Sequence, residues 1–133
     1  MLFRSPGSHG LRTARWSPDG KYIAAIQPET HALMLFNVET QHWRTLADSI
    51  TGDNPNWSSD SRYIYADSPQ GEHSMIERLR VSDGQRVKVV DLAAFRKVPG
   101  GVGFWFGLTP DNSPILVQGL SASEIYSLEW TDH

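Results

Sequence analysis

The chain has 133 residues, one domain's worth, and its 39% hydrophobic and 20% charged residues are an ordinary globular composition. A formal charge of −3, with the twelve Lys and Arg scattered and no basic run longer than Arg96-Lys97, argues against a nucleic-acid partner. The lack of cysteine excludes disulfides, thiolate metal sites and a cysteine nucleophile, and no apolar stretch approaches the roughly 20 residues of a membrane span.

The first seven residues are too short and polar to read as a secretion signal, so any address label is expected outside this chain. Residues 1–4 read as a spare strand. Residues 11–16 form the next, leading into Trp16-Ser17-Pro18-Asp19-Gly20-Lys21-Tyr22-Ile23. Ser17 opens a turn, Pro18 supplies a fixed φ, Asp19 follows, and Gly20 takes the left-handed conformation. Strands at 22–27, 32–37 and 42–47 follow, the third strand of the set nearly continuous in apolar residues at Leu33-Met34-Leu35-Phe36.

The same phrase returns 41 residues on as Trp57-Ser58-Ser59-Asp60-Ser61-Arg62-Tyr63-Ile64, between strands at 54–57 and 63–67, with further strands at 74–80 and 86–91. It lacks both the proline and the glycine, so this turn is expected to be the least well specified. A single helical turn fits 91–96. The third copy begins 51 residues after the second, as Leu108-Thr109-Pro110-Asp111-Asn112-Ser113-Pro114-Ile115, with strands at 104–108, 115–118 and 124–129. Asn112 stands where Gly20 stood, and Asn tolerates positive φ.

A period of about 40–50 residues with four strands per unit marks a β-propeller. The fold class is therefore all-β, a partial propeller of about three four-stranded antiparallel blades within a single segment, 1–133. Blade one covers about 11–47, blade two about 54–91, and blade three about 104–130, completed by strand 1–4. Propellers close with roughly 4–8 blades, so three blades leave open edges, which recruit partners. Self-association as a homodimer, closing a six-bladed ring, is the expected remedy.

Four stretches carry a family resemblance: Arg15-Trp16-Ser17-Pro18-Asp19-Gly20-Lys21-Tyr22-Ile23-Ala24-Ala25, Leu33-Met34-Leu35-Phe36, Asn54-Pro55-Asn56-Trp57-Ser58 and Trp105-Phe106-Gly107-Leu108-Thr109-Pro110-Asp111. They resemble the TolB-type, WD40-like (PD40) propeller repeat of bacteria. The ending Glu124-Ile125-Tyr126-Ser127-Leu128-Glu129-Trp130 resembles the last strand of propellers attached to winged-helix regulators and related kinases, abundant in acidobacteria. The resemblance implies a sensory or partner-binding role. No counterpart of the DNA-binding winged helix occurs in these residues, so DNA binding is not implied. Alternatives are the sensory portion of such a regulator or the accessory propeller of a serine peptidase.

Chemistry-bearing patterns are sparse. The histidines His9, His31, His42, His73 and His133 form no zinc-binding spacing. Asp19, Asp60 and Asp111 recur one per blade, which suits turn chemistry better than a calcium site. Gly7-Ser8-His9-Gly10 is not the strand–Ser–helix elbow of a hydrolase. The chain is accordingly expected to be no enzyme and to need no cofactor or metal. Trp16 and Trp57, with Leu108 as their equivalent, are expected to pack between neighbouring blades. One stretch departs from the core pattern: glycines precede Phe104, Trp105 and Phe106, which are the candidate ligand- or partner-binding residues. Phe104 and Phe106 should share one side of a strand and Trp105 the other.

Overall fold

The computed structural model describes residues 7–95 and 105–117. Their ten strands make three antiparallel sheets, of four, four and two strands. The first runs β1 (Arg12–Trp16), β2 (Tyr22–Gln27), β3 (Ala32–Asn37), β4 (His42–Ala47). The second runs β5 (Asn56–Trp57), β6 (Tyr63–Gln70), β7 (His73–Arg80), β8 (Arg86–Asp91). The third pairs β9 (Phe106–Leu108) with β10 (Pro114–Leu116). Each strand lies beside its sequence neighbour, the up-and-down order of propeller blades. The strands expected at 1–4 and 124–129 lie outside the described residues. At 92–95 the chain makes one turn, closed by Phe95 N–H to the Leu92 carbonyl at 3.1 Å, and no helix occurs among the described residues.

Alternation along each strand gives every sheet two faces. Blade one turns Ala24, Ile26, Leu33, Leu35 and Leu46 toward blade two, where Ile64, Ala66, Leu79 and Val81 meet them in one buried cluster. The opposite face of blade two, with Tyr65, Ile76 and Leu92, shares a second cluster with Phe106, and Tyr63, Leu108 and Leu116 pack against it. Leu35, Ile64 and Leu79 are almost fully buried. Each such side chain contributes about 1.5–3 kcal/mol relative to exposure, so the blade-to-blade seams, more than any single sheet, hold the fold.

Polar groups also cross the first seam. Arg86 donates to Glu77 Oε2 at 2.9 Å from Nε and 2.5 Å from Nη2, and Ser68 Oγ donates to the same oxygen at 2.6 Å. The other arm of Arg86 reaches the Asp48 carbonyl of blade one at 3.1 Å. Arg44 of blade one donates back to the Val81 carbonyl. The buried Glu77 carboxylate is thereby neutralised by a cation that also bridges the blades.

The third hairpin departs from the alignment of the repeat. In blades one and two the turn is closed by Ser17 N–H to the Tyr22 carbonyl and Ser58 N–H to the Tyr63 carbonyl, both 2.9 Å. In the third, Thr109 N–H bonds the Ser113 carbonyl at 2.9 Å, one residue sooner. Trp16 lies opposite Ile23 and Trp57 opposite Ile64, whereas Leu108 lies opposite Pro114. A residue equivalent to Lys21 is missing, so Pro114 takes the place of Ile23, and Ile115 and Val117 take those of Ala24 and Ile26. A one-residue shift exchanges the two faces of a strand, so the shorter hairpin decides which side chains face outward.

Close approach between blades is sharpest at Gly84, in the β7–β8 turn. Its φ is +73°, and a Cβ there would stand 2.6 Å from the Leu46 carbonyl oxygen of blade one. Gly84→Ala is expected to cost about 2–4 kcal/mol in urea unfolding, combining left-handed strain with overpacking. Gly20 has a similar φ of +72° and open space around it. Gly20→Ala should therefore cost only about 1 kcal/mol. Equal losses at the two glycines would contradict the close seam.

Candidate functional site

The three recurring turns line up along one rim of the blade stack. In the first, the buried Ser17 hydroxyl donates to Asp19 Oδ1 at 2.6 Å and accepts Tyr22 N–H at 2.9 Å, while Asp19 Oδ1 accepts Lys21 N–H at 3.0 Å. The second repeats this with Ser58, Asp60, Tyr63 and Arg62 at 2.6, 3.0 and 3.0 Å. In the third, Thr109 donates to Asp111, which accepts Ser113 N–H at 3.3 Å. The second turn is as fully bonded as the first, contrary to the expectation from its composition. Ser61 adopts φ +61° without glycine's freedom, because the Ser58–Asp60 pair fixes the loop around it.

The left-handed position does more than turn the chain. Ser61 Oγ accepts Asp19 N–H of blade one at 3.0 Å. Asn112 Oδ1 accepts Ser59 N–H of blade two at 2.7 Å, and its Nδ2 donates to Ser59 Oγ at 3.2 Å. Each non-glycine residue at this position thus pegs its blade to the turn before it. Sequence reading stops at local backbone preference, which Ser and Asn satisfy in isolation, and so misses the peg. Gly20 carries none.

Along the same seams, Trp57 stacks on Tyr22 with ring centroids 6.5 Å apart and donates from Nε1 to the Arg15 carbonyl at 3.0 Å. Asn54 and Asn56 donate to the Phe106 carbonyl at 2.9 and 3.2 Å, tying blade two to blade three. Trp16, on the flank of blade one that faces away from blade two, is 54% exposed. It lines an apolar groove of about 390 Å³ with Leu11, Ala14, Ile23, Ala25 and Trp43. Phe106 is buried between blades, so it is a core residue and cannot face a ligand. Trp105 is 60% exposed, and Phe104 lies outside the described residues.

Trp105 has apolar company. Val117 N–H bonds its carbonyl at 3.1 Å, and Ile115 lies opposite Gly107, which places Trp105, Gly107, Ile115 and Val117 on one face. Ile115 and Val117 are both exposed. Among the described residues no three His, Asp or Glu side chains gather as metal ligands. Ser8 closes a turn with Leu11 ahead of strand β1, without the helix a nucleophile elbow needs. No helix among the described residues is long and apolar enough to cross a membrane.

The carboxylates of Asp19, Asp60 and Asp111 are each held below the usual range, first by the hydroxyl of Ser17, Ser58 or Thr109 and then by a backbone N–H. Depressed folded values mean that their stabilisation is present above the unfolded value near 3.9 and lost as pH falls through the folded one. The melting temperature should hold down to about pH 5 and drop below about pH 4. A double Asp19→Asn, Asp60→Asn variant should show a shallower drop. An identical acid profile for the variant would remove these turns from the acid response.

No family model matches the chain, and no match is found among curated proteins. Solved structures do match. TolB from Acinetobacter baumannii aligns with a TM-score of 0.60 at 18% identity, over 77% of this chain and 25% of that one. A TolB-type protein of Agrobacterium tumefaciens gives 0.60 at 23% identity, over 80% and 39%. A prolyl endopeptidase gives 0.61 at 17% identity, over 84% and 19%. Such identities establish the fold alone: a TolB-like β-propeller segment. The chain spans no more than 39% of the length of these proteins.

Proposed function

We propose that this propeller segment is a non-enzymatic assembly module, joining edge to edge with a second copy of itself to close a six-bladed ring. The observation that supports the reading is the pair of unlike flanks, a groove beside Trp16 and Ile23 at one end of the stack and an apolar face at Ile115 and Val117 at the other. Three blades from each of two copies make six, within the range of roughly 4–8 that propellers use.

Light scattering should give twice the chain mass of 14.9 kDa, with a concentration-dependent return toward the single-chain value on dilution. A well-folded chain of 14.9 kDa at all concentrations would contradict self-assembly. The purified chain should also resist covalent labelling by a fluorophosphonate probe. Stoichiometric labelling of one serine, abolished by its replacement with alanine, would contradict the non-enzymatic reading.

A further inference from the structure

The internal seam between blades one and two is a template for what the outer flanks can do. On the blade-two side it consists of Trp57, Ile64, Ala66 and Leu79; on the blade-one side Ala24 and Ile26 receive them. The register shows where these positions recur. Ile23 pairs with Phe36 as Ile64 pairs with Leu79. Trp16, Ile23, Ala25 and Phe36 are therefore the blade-one counterparts of Trp57, Ile64, Ala66 and Leu79; Trp16 is exposed at the groove, Ile23 and Ala25 line it as buried residues, and Phe36 is buried against Trp43. At the other end, Ile115 and Val117 occupy the places of Ala24 and Ile26. The latter two are 0% and 2% exposed beneath blade two, whereas Ile115 and Val117 are 51% and 42% exposed.

Building on the assembly reading, we propose that the face formed by Trp105, Gly107, Ile115 and Val117 is the docking surface for the groove flank of a second copy, in the register by which blade two sits on blade one. A second copy is the occupant because the two outer flanks of this chain occupy the positions whose counterparts meet in the seam between blades one and two. Gly107, with nothing within 4 Å of where its Cβ would stand, leaves room for close approach. Its described residues, Trp105, Gly107, Ile115 and Val117, carry no charge, which suits the apolar groove.

The rim makes this joint weaker than the internal ones. Each internal seam has its peg, Ser61 on Asp19 N–H or Asn112 on Ser59 N–H. At the joint between copies the peg position is Gly20, and the facing turn holds Pro110, which has no N–H, followed by Asp111, which has one. An asparagine peg could not copy the Asn112 contact there, but a serine could copy that of Ser61. Open space around Gly20 admits it.

Two variants test the surface through the dimer dissociation constant, read by sedimentation equilibrium beside circular dichroism of each protein. Ile115→Asp places a charge at an exposed position, so folding should persist while association weakens roughly a hundredfold. Gly20→Ser should strengthen it about three- to tenfold, the value of one added hydrogen bond. A dimer indifferent to both variants would overturn the docking surface and leave self-assembly standing. A monomeric parent that dimerises once Gly20 is serine would support the surface and overturn self-assembly by the parent. A chain that stays monomeric in all forms would overturn both. Should Ile115→Asp lose its circular dichroism signal, Val117→Lys takes its place with the same expected weakening.

Discussion

An antiparallel blade with apolar residues at consecutive positions has two faces to cover, and no single sheet can cover both of its own. Leu33-Met34-Leu35-Phe36 states the problem most plainly: Leu33 and Leu35 go into the seam with blade two, while Phe36 faces the other way beneath the Trp43 ring at 5.1 Å. Blade two solves it from within the chain, since Ile64 and Leu79 meet blade one and Tyr65 and Ile76 meet blade three. The bridging Arg86, the pegs at Ser61 and Asn112, and the Trp57 stack on Tyr22 all serve that stacking. On the outer flanks the cover is uneven: Ile115 and Val117 of blade three and Trp16 of blade one are exposed, while Ile23, Ala25 and Phe36 of blade one are buried.

Much of this arrangement is legible in the sequence. A turn built on Ser17, Asp19 and a left-handed residue is a local structure, and its signals sit within five residues of one another, so its recurrence locates the hairpins. The strand pattern between them follows from alternation and from Gly and Asn at the corners. The bounds at 22–27, 32–37, 42–47 and 86–91 coincide with β2, β3, β4 and β8. The second turn misled because composition alone understated it: the Ser58–Asp60 pair replaces what proline and glycine would have supplied.

What stayed hidden was relational. In sequence Ile115 matches Ile23 residue for residue, but the hydrogen bond from Thr109 N–H to the Ser113 carbonyl shortens that hairpin and turns Ile115 outward. A one-residue deletion leaves almost no trace in composition and reverses a face. The pegs were invisible for a similar reason, because an Asn at positive φ is explained by its own backbone and nothing local reveals the turn 53 residues earlier that it grips. For the aromatic stretch, alternation separated Trp105 from Phe106, but only the packing shows that Phe106 fills the seam.

The central claim is that the two flanks are halves of one interface, joined between copies in the register used inside the chain. The lack of cysteine allows a direct test by cross-linking. Pro110 and Gly20 correspond to Ser59 and Asn112, whose side chains meet at 3.2 Å across the internal seam. A Pro110→Cys, Gly20→Cys variant, oxidised gently and run without reductant, should give a covalent dimer closed by two disulfides and no longer ladder. A disulfide within one chain, a ladder of higher oligomers, or an uncross-linked chain would each contradict the paired six-bladed ring.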